Sequence, residues 1–239
     1  DQQHKIVIVG DYDADGATST ALMILSLREM GAQVEYLVPD RFKYGYGLTP
    51  AIADLAFTSF TPDLLITVDN GISSHDGVKQ AQDHGMQVII TDHHLTTKPT
   101  PSAQAVVNPN QLGCDFPSKA LAGVGVAFYV LANLSTYRKK LNKSSALMSQ
   151  YLDLVALGTY ADVASLDYNN RILVDVGLKR IQQHLCRPGI SALLEIAGRE
   201  AITLKAQDLG FVLGPRINAA GRMETMDIGI ECLLVQDFA

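Results

Sequence analysis

The sequence predicts an α/β fold in which a mostly parallel, five-stranded sheet is flanked by helices and followed by a helical region. Two observations predict it. Short, continuous apolar segments such as Lys5–Gly10 recur through the first part of the chain, with helical patterns between them. After Pro117 the strand-like segments stop and only helical patterns follow. Strands that alternate with helices favour right-handed crossovers and therefore a parallel sheet.

The predicted strands are short apolar segments bounded by glycine, proline or polar residues, whereas the predicted helices are longer and amphipathic. The five strands are 5–10, 34–38, 64–68, 87–91 and 105–107. The helices are 17–30, 49–56, 73–84, 119–134, 144–157, 171–184 and 190–197.

The composition excludes several classes of protein. The chain has 239 residues, of which 47% are hydrophobic and 18% charged, so it can bury a sizeable core and is neither disordered nor fibrous. No apolar run approaches the ~20 residues that a membrane-spanning helix needs. The net charge of -6 argues mildly against a long nucleic-acid-binding track, which is usually basic. A cluster of metal-binding carboxylates would produce the same sign.

The three cysteines, Cys114, Cys186 and Cys232, are far apart and form no CxxC pair. This pattern indicates a reducing compartment without a disulfide framework, so we expect a cytoplasmic protein. The sequence begins at Asp1 without a methionine or a signal-peptide pattern and ends at Ala239 without a recognisable stop. We therefore expect the chain to be a fragment of a longer protein.

Acidic and imidazole residues follow the predicted strands at the points where the strands end. Open parallel sheets bind their ligands at this edge, outside the carboxyl ends of the strands. The residues are Asp11, Asp13 and Asp15 after the first strand, Asp69 after the third, Asp92, His93 and His94 after the fourth, and Asp162 after the helix predicted to end at residue 157.

Each of these residues alone has an ordinary structural explanation. A single aspartate at a strand-to-helix turn, such as Asp15 or Asp92, is commonly a helix cap, and a single histidine at a strand end is commonly structural. Together, however, carboxylates this close would repel one another unless cations neutralised them. Carboxylates combined with imidazole suit Mn²⁺ or Mg²⁺. We therefore predict two ions, ~3.5–4 Å apart, of the kind that supports in-line displacement at phosphorus.

Three further segments contain candidates for substrate binding. The segment 16–20 is predicted to open a helix whose free N–H groups could hold a phosphate, and the segment 41–47 alternates basic and aromatic residues that suit single-stranded nucleic acid. In the segment 213–223, two arginines frame small residues. The structural alternatives are helix caps, a solvated loop and a linker turn, respectively. The candidates are Thr18, Ser19, Arg41, Tyr44, Arg216 and Arg222.

These motifs resemble those of the DHH phosphoesterase superfamily, which is named for the triplet present here at residues 92–94, and within it the RecJ-like single-strand-specific exonucleases. The resemblance extends over nearly the whole chain. The superfamily motifs correspond to residues 11–16, 68–71, 92–94 and 158–162, and the segments that indicate RecJ in particular are 42–48, 122–125 and 213–223.

The resemblance implies a role for each site residue. The implied ligands are Asp13 and Asp69 for one ion and Asp15, Asp69, His93 and Asp162 for the other, with Asp69 shared. His94 is expected to contact the scissile phosphate, and Asp92 is expected to orient the histidines. Related pyrophosphatase-type members carry a histidine four residues before Asp13, where this chain has Val9. Asp11 is therefore a candidate to complete the first site.

The resemblance also implies the catalytic core of a 5′-to-3′ single-stranded DNA exonuclease of DNA repair and recombination that hydrolyses phosphodiester bonds by two-metal catalysis with Mn²⁺ or Mg²⁺. The implied partners are single-stranded DNA, a single-strand-binding protein and a helicase, with no membrane. The implied domains are a catalytic DHH domain over 1–165, a helical connecting region over 166–214 and the start of a truncated, DHH-associated domain over 215–239. The family's Gly-Gly-Gly-His motif and OB-fold are absent from this sequence.

Two alternatives remain open. The first is a DHH phosphoesterase that cleaves small substrates such as short oligonucleotides or cyclic dinucleotides. The basic and aromatic segment 41–47 and the segment 213–223 argue against it. The second is an inactive DHH scaffold that acts by binding partners, but such proteins lose metal ligands, whereas this sequence keeps the full set.

Overall fold

The structure is a computed structural model that describes residues 3–223 and 225–236; the side chains at positions 41, 42, 222 and 223 lie outside the description. The described residues form five strands, each within one residue of its predicted bounds. They are β1 (Lys5–Gly10), β2 (Gln33–Leu37), β3 (Leu64–Val68), β4 (Gln87–Thr91) and β5 (Ala105–Val107).

The strands form one parallel sheet in the order β2-β1-β3-β4-β5, which confirms the predicted fold class. The register aligns the strand ends, because Gly10 pairs with Val68 and Val68 pairs with Thr91. The next residue of each strand is an aspartate, so three carboxylates leave the sheet side by side. In the sheet, β2 lies on one side of β1, and β3, β4 and β5 lie on the other side. The strand order therefore reverses direction at β1, and open α/β sheets bind ligands at such a switch point.

Helices cover both faces of the sheet. Their bounds are α1 (Ala14–Glu29), α2 (Arg41–Tyr44), α3 (Pro50–Phe60), α4 (His75–Asp83), α5 (Gly123–Lys140), α6 (Leu152–Ala161), α7 (Tyr168–Gln182), α8 (Pro188–Ile196), α9 (Ala206–Asp208), α10 (Gly214–Met223) and α11 (Asp227–Leu234). Short 3₁₀ turns span Met148–Tyr151 and Ala201–Thr203, and a π-helical turn spans Leu209–Leu213. Among the described residues, no helix has the length and apolar character that crossing a bilayer requires.

Two hydrophobic cores lie on the two faces of the sheet. Ile8 of β1 packs into the larger core with α1, α5 and α6, while its neighbours Val7 and Val9 pack into the smaller core with α3 and α4. This alternation follows from the strand period of two residues. A strand buried on both faces reads as continuously apolar, which is why β1 could be predicted from sequence.

Helix α1 begins earlier than predicted, at Ala14 and not at Ala17. Asp13 has extended backbone geometry, and its Oδ1 accepts a hydrogen bond from Gly16 N at 2.9 Å, so Asp13 is the N-cap. The earlier start places Asp15 in the first helical turn.

The segment 213–223 is helical and is not a linker turn. Helix α10 and the following α11 pack on α1, and their apolar residues Ile217 and Ile230 belong to the larger core. The predicted domain boundary between residues 214 and 215 thus falls at the start of a helix that packs against the sheet domain. The three-part domain division stays a prediction.

Candidate metal centre

Carboxylates and imidazoles from separate elements meet at the carboxyl edge of the sheet. The loop between β1 and α1 supplies Asp11 and Asp13, the first turn of α1 supplies Asp15, and the end of α6 supplies Asp162. Three overlapping groups have ligand atoms within 4.8 Å of one another: Asp69, His93 and His94; Asp15, His93 and Asp162; and Asp11, Asp13 and Asp69. The structure therefore brings together all eight residues predicted at the strand and helix ends, with Asp92 hydrogen-bonded to His94.

Asp69 lies at the centre of the cluster. It follows the last residue of β3 with a backbone φ of 62°, and its N–H donates to the carbonyl of Thr91 at 3.0 Å. The left-handed conformation is uncommon for residues other than glycine, although aspartate tolerates it better than most. Residues held in such conformations concentrate at functional sites. Here the turn directs a carboxylate that is 2% exposed into the cluster.

One oxygen of Asp69 has no hydrogen bond within the described part of the chain. Its Oδ1 is buried, and although His93 Nε2 lies 3.1 Å away, the two atoms do not have hydrogen-bond geometry. A buried carboxylate oxygen without a donor is costly. A cation would supply the missing partner, so this atom fits the role of a metal ligand.

Asp15 is held from another element. The first two residues of α5 are Gly123 and Val124. Their backbone N–H groups donate to the two carboxylate oxygens of Asp15, at 2.6 Å and 2.9 Å respectively. Helix N-termini favour negative charge, because their first N–H groups are free and their dipole is positive there. Asp15 thus stays close to Asp69 and His93 although it is 1% exposed.

Asp92 organises the histidine pair. Its Oδ1 accepts the backbone N–H groups of His93 at 2.7 Å and His94 at 3.0 Å and lies 2.8 Å from His94 Nδ1, while its Oδ2 accepts the backbone N–H of Ile72 at 2.8 Å. Burial alone would raise the pKa of Asp92, but these hydrogen bonds lower it below its ordinary value. Asp92 is therefore an ionised carboxylate that fixes the orientation of His94.

Burial, together with repulsion between neighbouring carboxylates, raises the pKa values of Asp11, Asp15, Asp69 and Asp162. Burial and the neighbouring charge of Asp13 raise the pKa of Asp11 to about 7 and that of Asp162 to about 6. Burial and the adjacent carboxylates also raise the pKa of Asp15 and Asp69 well above the ordinary range. When no cation is bound, the repulsion between these carboxylates is reduced only if some of them are protonated.

The two histidines have opposite electrostatic character. Burial, and then the charge of His94, lower the pKa of His93, whereas the hydrogen bond to Asp92 raises the pKa of His94. A neutral imidazole can ligate a metal, and a protonated one can face an anion. The nitrogens of His93 lie 3.9 Å from Asp15 Oδ2 and 3.9 Å from Asp162 Oδ2, which suits the ligand role predicted for it.

The donor set fits a pair of hard divalent cations. Aspartate oxygens with one or two imidazole nitrogens match the preferences of Mn²⁺ and Mg²⁺. Asp69 belongs to two of the three ligand groups and carries an unpartnered Oδ1 atom, so it fits the predicted shared ligand. Asp11 joins Asp13 and Asp69 in the third group, which suits a residue that completes the first site.

The structure contradicts the predicted phosphate site at residues 16–20. Because α1 begins at Ala14, these residues lie inside the helix and not at its start. Thr18 and Ser19 are fully buried, and Thr18 Oγ1 donates to the carbonyl oxygens of Ala14 at 2.9 Å and Asp15 at 3.0 Å. Neither hydroxyl can contact a substrate in this arrangement.

In the basic and aromatic segment, Tyr46, which sequence reasoning did not select, has its hydroxyl beside His94, while the substrate-binding role of Tyr44 stays a prediction. Tyr44 packs against the smaller core, whereas Tyr46 is 52% exposed and its hydroxyl lies 3.3 Å from His94 Nε2. The rings of Tyr46 and Tyr12 meet edge to face, 6.0 Å between centroids. The side chains of Arg41 and Arg222 lie outside the described part of the chain.

Arg216 is exposed on α10, where its Nη1 donates to the carbonyl of Val212 at 2.7 Å. No hydrogen bond or ion pair described for this side chain reaches the carboxylate cluster. Its predicted role in substrate binding stays a prediction, because an exposed arginine can meet a substrate without touching the other site residues.

Sequence reasoning missed three asparagines that support the site. Asn108 and Asn110, which follow β5, donate to the backbone carbonyls of His94 at 2.9 Å and His93 at 2.6 Å. Asn218 on α10 accepts the N–H of Ala14 at 2.7 Å, between two of the aspartates. The position of Asn108 just after a strand was an available signal, but nothing local to Asn218 indicates a contact across 204 residues.

Comparison with known proteins places the chain in a family. The model of the DHH family, N-terminal domain, matches residues 5–159. The chain is 54% identical over 240 residues to the single-stranded-DNA-specific exonuclease RecJ of Dickeya dadantii strain 3937, covering 98% of this chain and 42% of that protein. The chain belongs to the DHH family.

Solved structures show the same likeness. A crystal structure of exonuclease RecJ bound to manganese matches with a TM-score of 0.84 and 37% identity, over 98% of this chain and 57% of that one. RecJ of Thermus thermophilus in complex with Mg²⁺ matches with a TM-score of 0.68 and 33% identity, over 99% of this chain and 29% of that one. The chain thus spans less than two thirds of the length of each of these relatives.

Proposed function

We propose that this chain is the catalytic core of a metal-dependent exonuclease that degrades single-stranded DNA from the 5′ end, in DNA repair and recombination. The observation that carries the proposal is the buried, unpartnered oxygen of Asp69 at the centre of a carboxylate and imidazole cluster. High identity to RecJ proteins over nearly the whole chain supports the substrate class. The polarity and the biological process rest on that likeness alone.

The proposed cofactor is a pair of Mn²⁺ or Mg²⁺ ions. Asp11, Asp13 and Asp69 would hold one ion, and Asp15, Asp69, His93 and Asp162 would hold the other. Bound cations of this kind activate water and stabilise the charge that develops on phosphoryl oxygens during in-line displacement. The RecJ structures named above contain manganese or magnesium, which supports the choice of metal.

His94 is the proposed contact to the scissile phosphate. Because ionised Asp92 can only accept a hydrogen bond, Nδ1 of His94 carries a proton, and the raised pKa favours a second proton on Nε2. A doubly protonated ring would donate from Nε2 to a phosphate oxygen. Stabilisation of developing negative charge by a positioned donor is a large term in catalysis of this type.

Tyr46 is the proposed neighbour of the nucleotide at the scissile bond. Its hydroxyl approaches the same Nε2 atom of His94, and its ring is half exposed beside Tyr12. Aromatic rings at the mouth of a site favour single strands, because unpaired bases can stack on them. Arg41, Arg216 and Arg222 remain proposed contacts to the DNA backbone.

We also propose a cytoplasmic location and cooperation with a single-strand-binding protein and a helicase. We further propose that the chain divides into a catalytic domain over 1–165, a helical connecting region over 166–214 and the start of a further domain over 215–239.

The proposed function is tested with end-labelled DNA. The protein with Mn²⁺ should shorten a long single strand from its 5′ end, spare the matched duplex and turn over a dinucleotide much more slowly. Asp69→Asn is the control, because asparagine also tolerates the left-handed backbone but lacks the shared negative charge. Preferential cleavage of the dinucleotide would favour the small-substrate alternative, and no cleavage of any phosphodiester by the metal-loaded protein would contradict the proposal.

A further inference from the structure

The N-terminus of α5 lies inside the metal centre. Ala122, the residue before the helix, provides no side-chain cap, and the first two helical N–H groups donate instead to both oxygens of Asp15. The carboxylate of Asp15, on α1, therefore caps the N-terminus of α5. This arrangement joins α5 and α1 at the point where the predicted ligands converge.

The first residue of α5 also touches the other central carboxylate. A Cβ atom on Gly123 would lie 2.6 Å from both Cβ and Oδ1 of Asp69, far inside van der Waals contact. Only glycine fits there without displacing Asp69. Gly123 thus contacts both carboxylates. Its N–H donates to Asp15, and its lack of a side chain leaves the space that Asp69 occupies.

We propose that Gly123 is a positioning residue that sets the separation of Asp15 and Asp69, and with it the affinity of the centre for divalent cations. The inference rests on the proposed function, because it assigns the cluster to metal binding. It assigns a role in metal binding to a residue of the segment 122–125, which the sequence analysis gave only as a point of resemblance to the RecJ-like exonucleases.

Gly125 provides a matched control two residues further along α5. The three atoms nearest to a Cβ atom on Gly125 would all belong to the side chain of Leu121, the nearest of them at 3.1 Å. Both glycines are buried, both lie in the first turn of the helix, and alanine has a higher helix propensity than glycine at either position. The two substitutions differ chiefly in whether the added methyl group reaches Asp69.

The variants Gly123→Ala and Gly125→Ala are compared by Mn²⁺ titration, with free Mn²⁺ followed by electron paramagnetic resonance. Thermal unfolding in EDTA establishes that each variant folds. We expect Gly123→Ala to weaken Mn²⁺ binding at least tenfold, and Gly125→Ala to stay within about twofold of the wild-type protein. Unchanged Mn²⁺ affinity and stoichiometry in a folded Gly123→Ala variant would overturn the inference while leaving the proposed function intact.

A second measurement needs no variant and covers the case in which Gly123→Ala does not fold. In the ¹⁵N-labelled wild-type protein, the amide resonances of Gly123 and Val124 should shift during titration with Mg²⁺ and follow the same saturation curve as the ligand residues. Resonances that stay fixed while Mg²⁺ binds would contradict the inference. Absence of any Mg²⁺ or Mn²⁺ binding by the wild-type protein would instead contradict the proposed function, and the inference with it.

Discussion

His94 is fixed on one side and accessible on the other. Asp92 holds its Nδ1, and the ring is still partly exposed toward Tyr46. A residue held in this way can act on a substrate without being needed to retain the metals. The predicted metal ligands Asp69 and His93 are more deeply buried than His94.

The substitution His94→Ala should lower turnover by a factor on the order of 10²–10⁴, because a positioned donor to the phosphate is lost. Mn²⁺ affinity should stay close to that of the wild-type protein. Turnover and Mn²⁺ binding are measured on the same preparation, with His84→Ala as the control, because the described contacts of the His84 ring are to Asp54, Gln80 and Phe57 and not to the cluster. A large loss of Mn²⁺ binding in His94→Ala would assign His94 to metal ligation.

Single residues also show what sequence reasoning cannot resolve. The sequence placed all the candidate ligands, because their position after the strands depends only on where apolar runs end. It did not distinguish Tyr44 from Tyr46, since the choice depends on the short helix α2 and on Gly45 and Gly47, whose φ values are 80° and 71°. Such local backbone geometry is not encoded in residue spacing.

At the scale of elements, α10 stabilises the loop that carries Asp13. Asn218 accepts the N–H of Ala14, and a Cβ atom on Gly221 would lie 2.8 Å from the carbonyl oxygen of Tyr12, so the helix packs directly against this backbone. The segment looked like a turn because it contains glycine and proline. Pro215 lies in the first turn of the helix, where a missing N–H costs little.

Asn218→Ala should reduce the free energy of unfolding by about 0.5–2 kcal/mol, the usual cost of losing a helix-capping acceptor. It should also weaken Mn²⁺ binding, because the start of α1 carries two of the ligands. Urea unfolding and Mn²⁺ titration measure the two effects. Asn133→Ala is the control, since that exposed side chain donates only to the carbonyl of Tyr129 in its own helix. Wild-type Mn²⁺ affinity in Asn218→Ala would show that α10 does not support the site.

Elements defined by long apolar patterns could be predicted, whereas their starting points could not. Helix α1 begins three residues earlier than its apolar pattern suggests, because the side chain of Asp13 caps it. Helix α5 begins later than predicted, at Gly123, because its N-terminus is anchored on Asp15. In both cases a tertiary or capping contact sets the boundary, and the same contacts build the site.

For the whole molecule, the cluster makes stability depend on pH. In the metal-free protein the pKa values of Asp11 and Asp162 rise from 3.8 to about 7 and about 6. Between the ordinary pKa of 3.8 and these raised values, the folded state binds more protons than the unfolded state. The contribution of these two carboxyl groups to the free energy of unfolding therefore falls as pH rises. The stabilising contribution is fully present below pH ~4 and lost by pH ~7.

In EDTA, the free energy of unfolding should therefore decrease by at least ~2 kcal/mol between pH 4.5 and pH 7.5, as measured by urea unfolding. Saturating Mn²⁺ should increase the free energy of unfolding, and the increase should be larger at higher pH, because the metal binds the deprotonated carboxylates. Asp162→Asn should flatten the pH dependence in EDTA. A metal-free protein whose stability rises over this interval would contradict the repulsion attributed to the cluster.

The central claim is that these side chains form one centre for two divalent cations, and anomalous diffraction tests it most directly. Crystals equilibrated with MnCl₂ are measured at the manganese absorption edge. We predict two anomalous peaks ~3.5–4 Å apart, with Asp69 between them and Asp13, Asp15, His93 and Asp162 within bonding distance. An anomalous map without a peak among these residues, or with manganese bound only elsewhere on the protein, would contradict the claim.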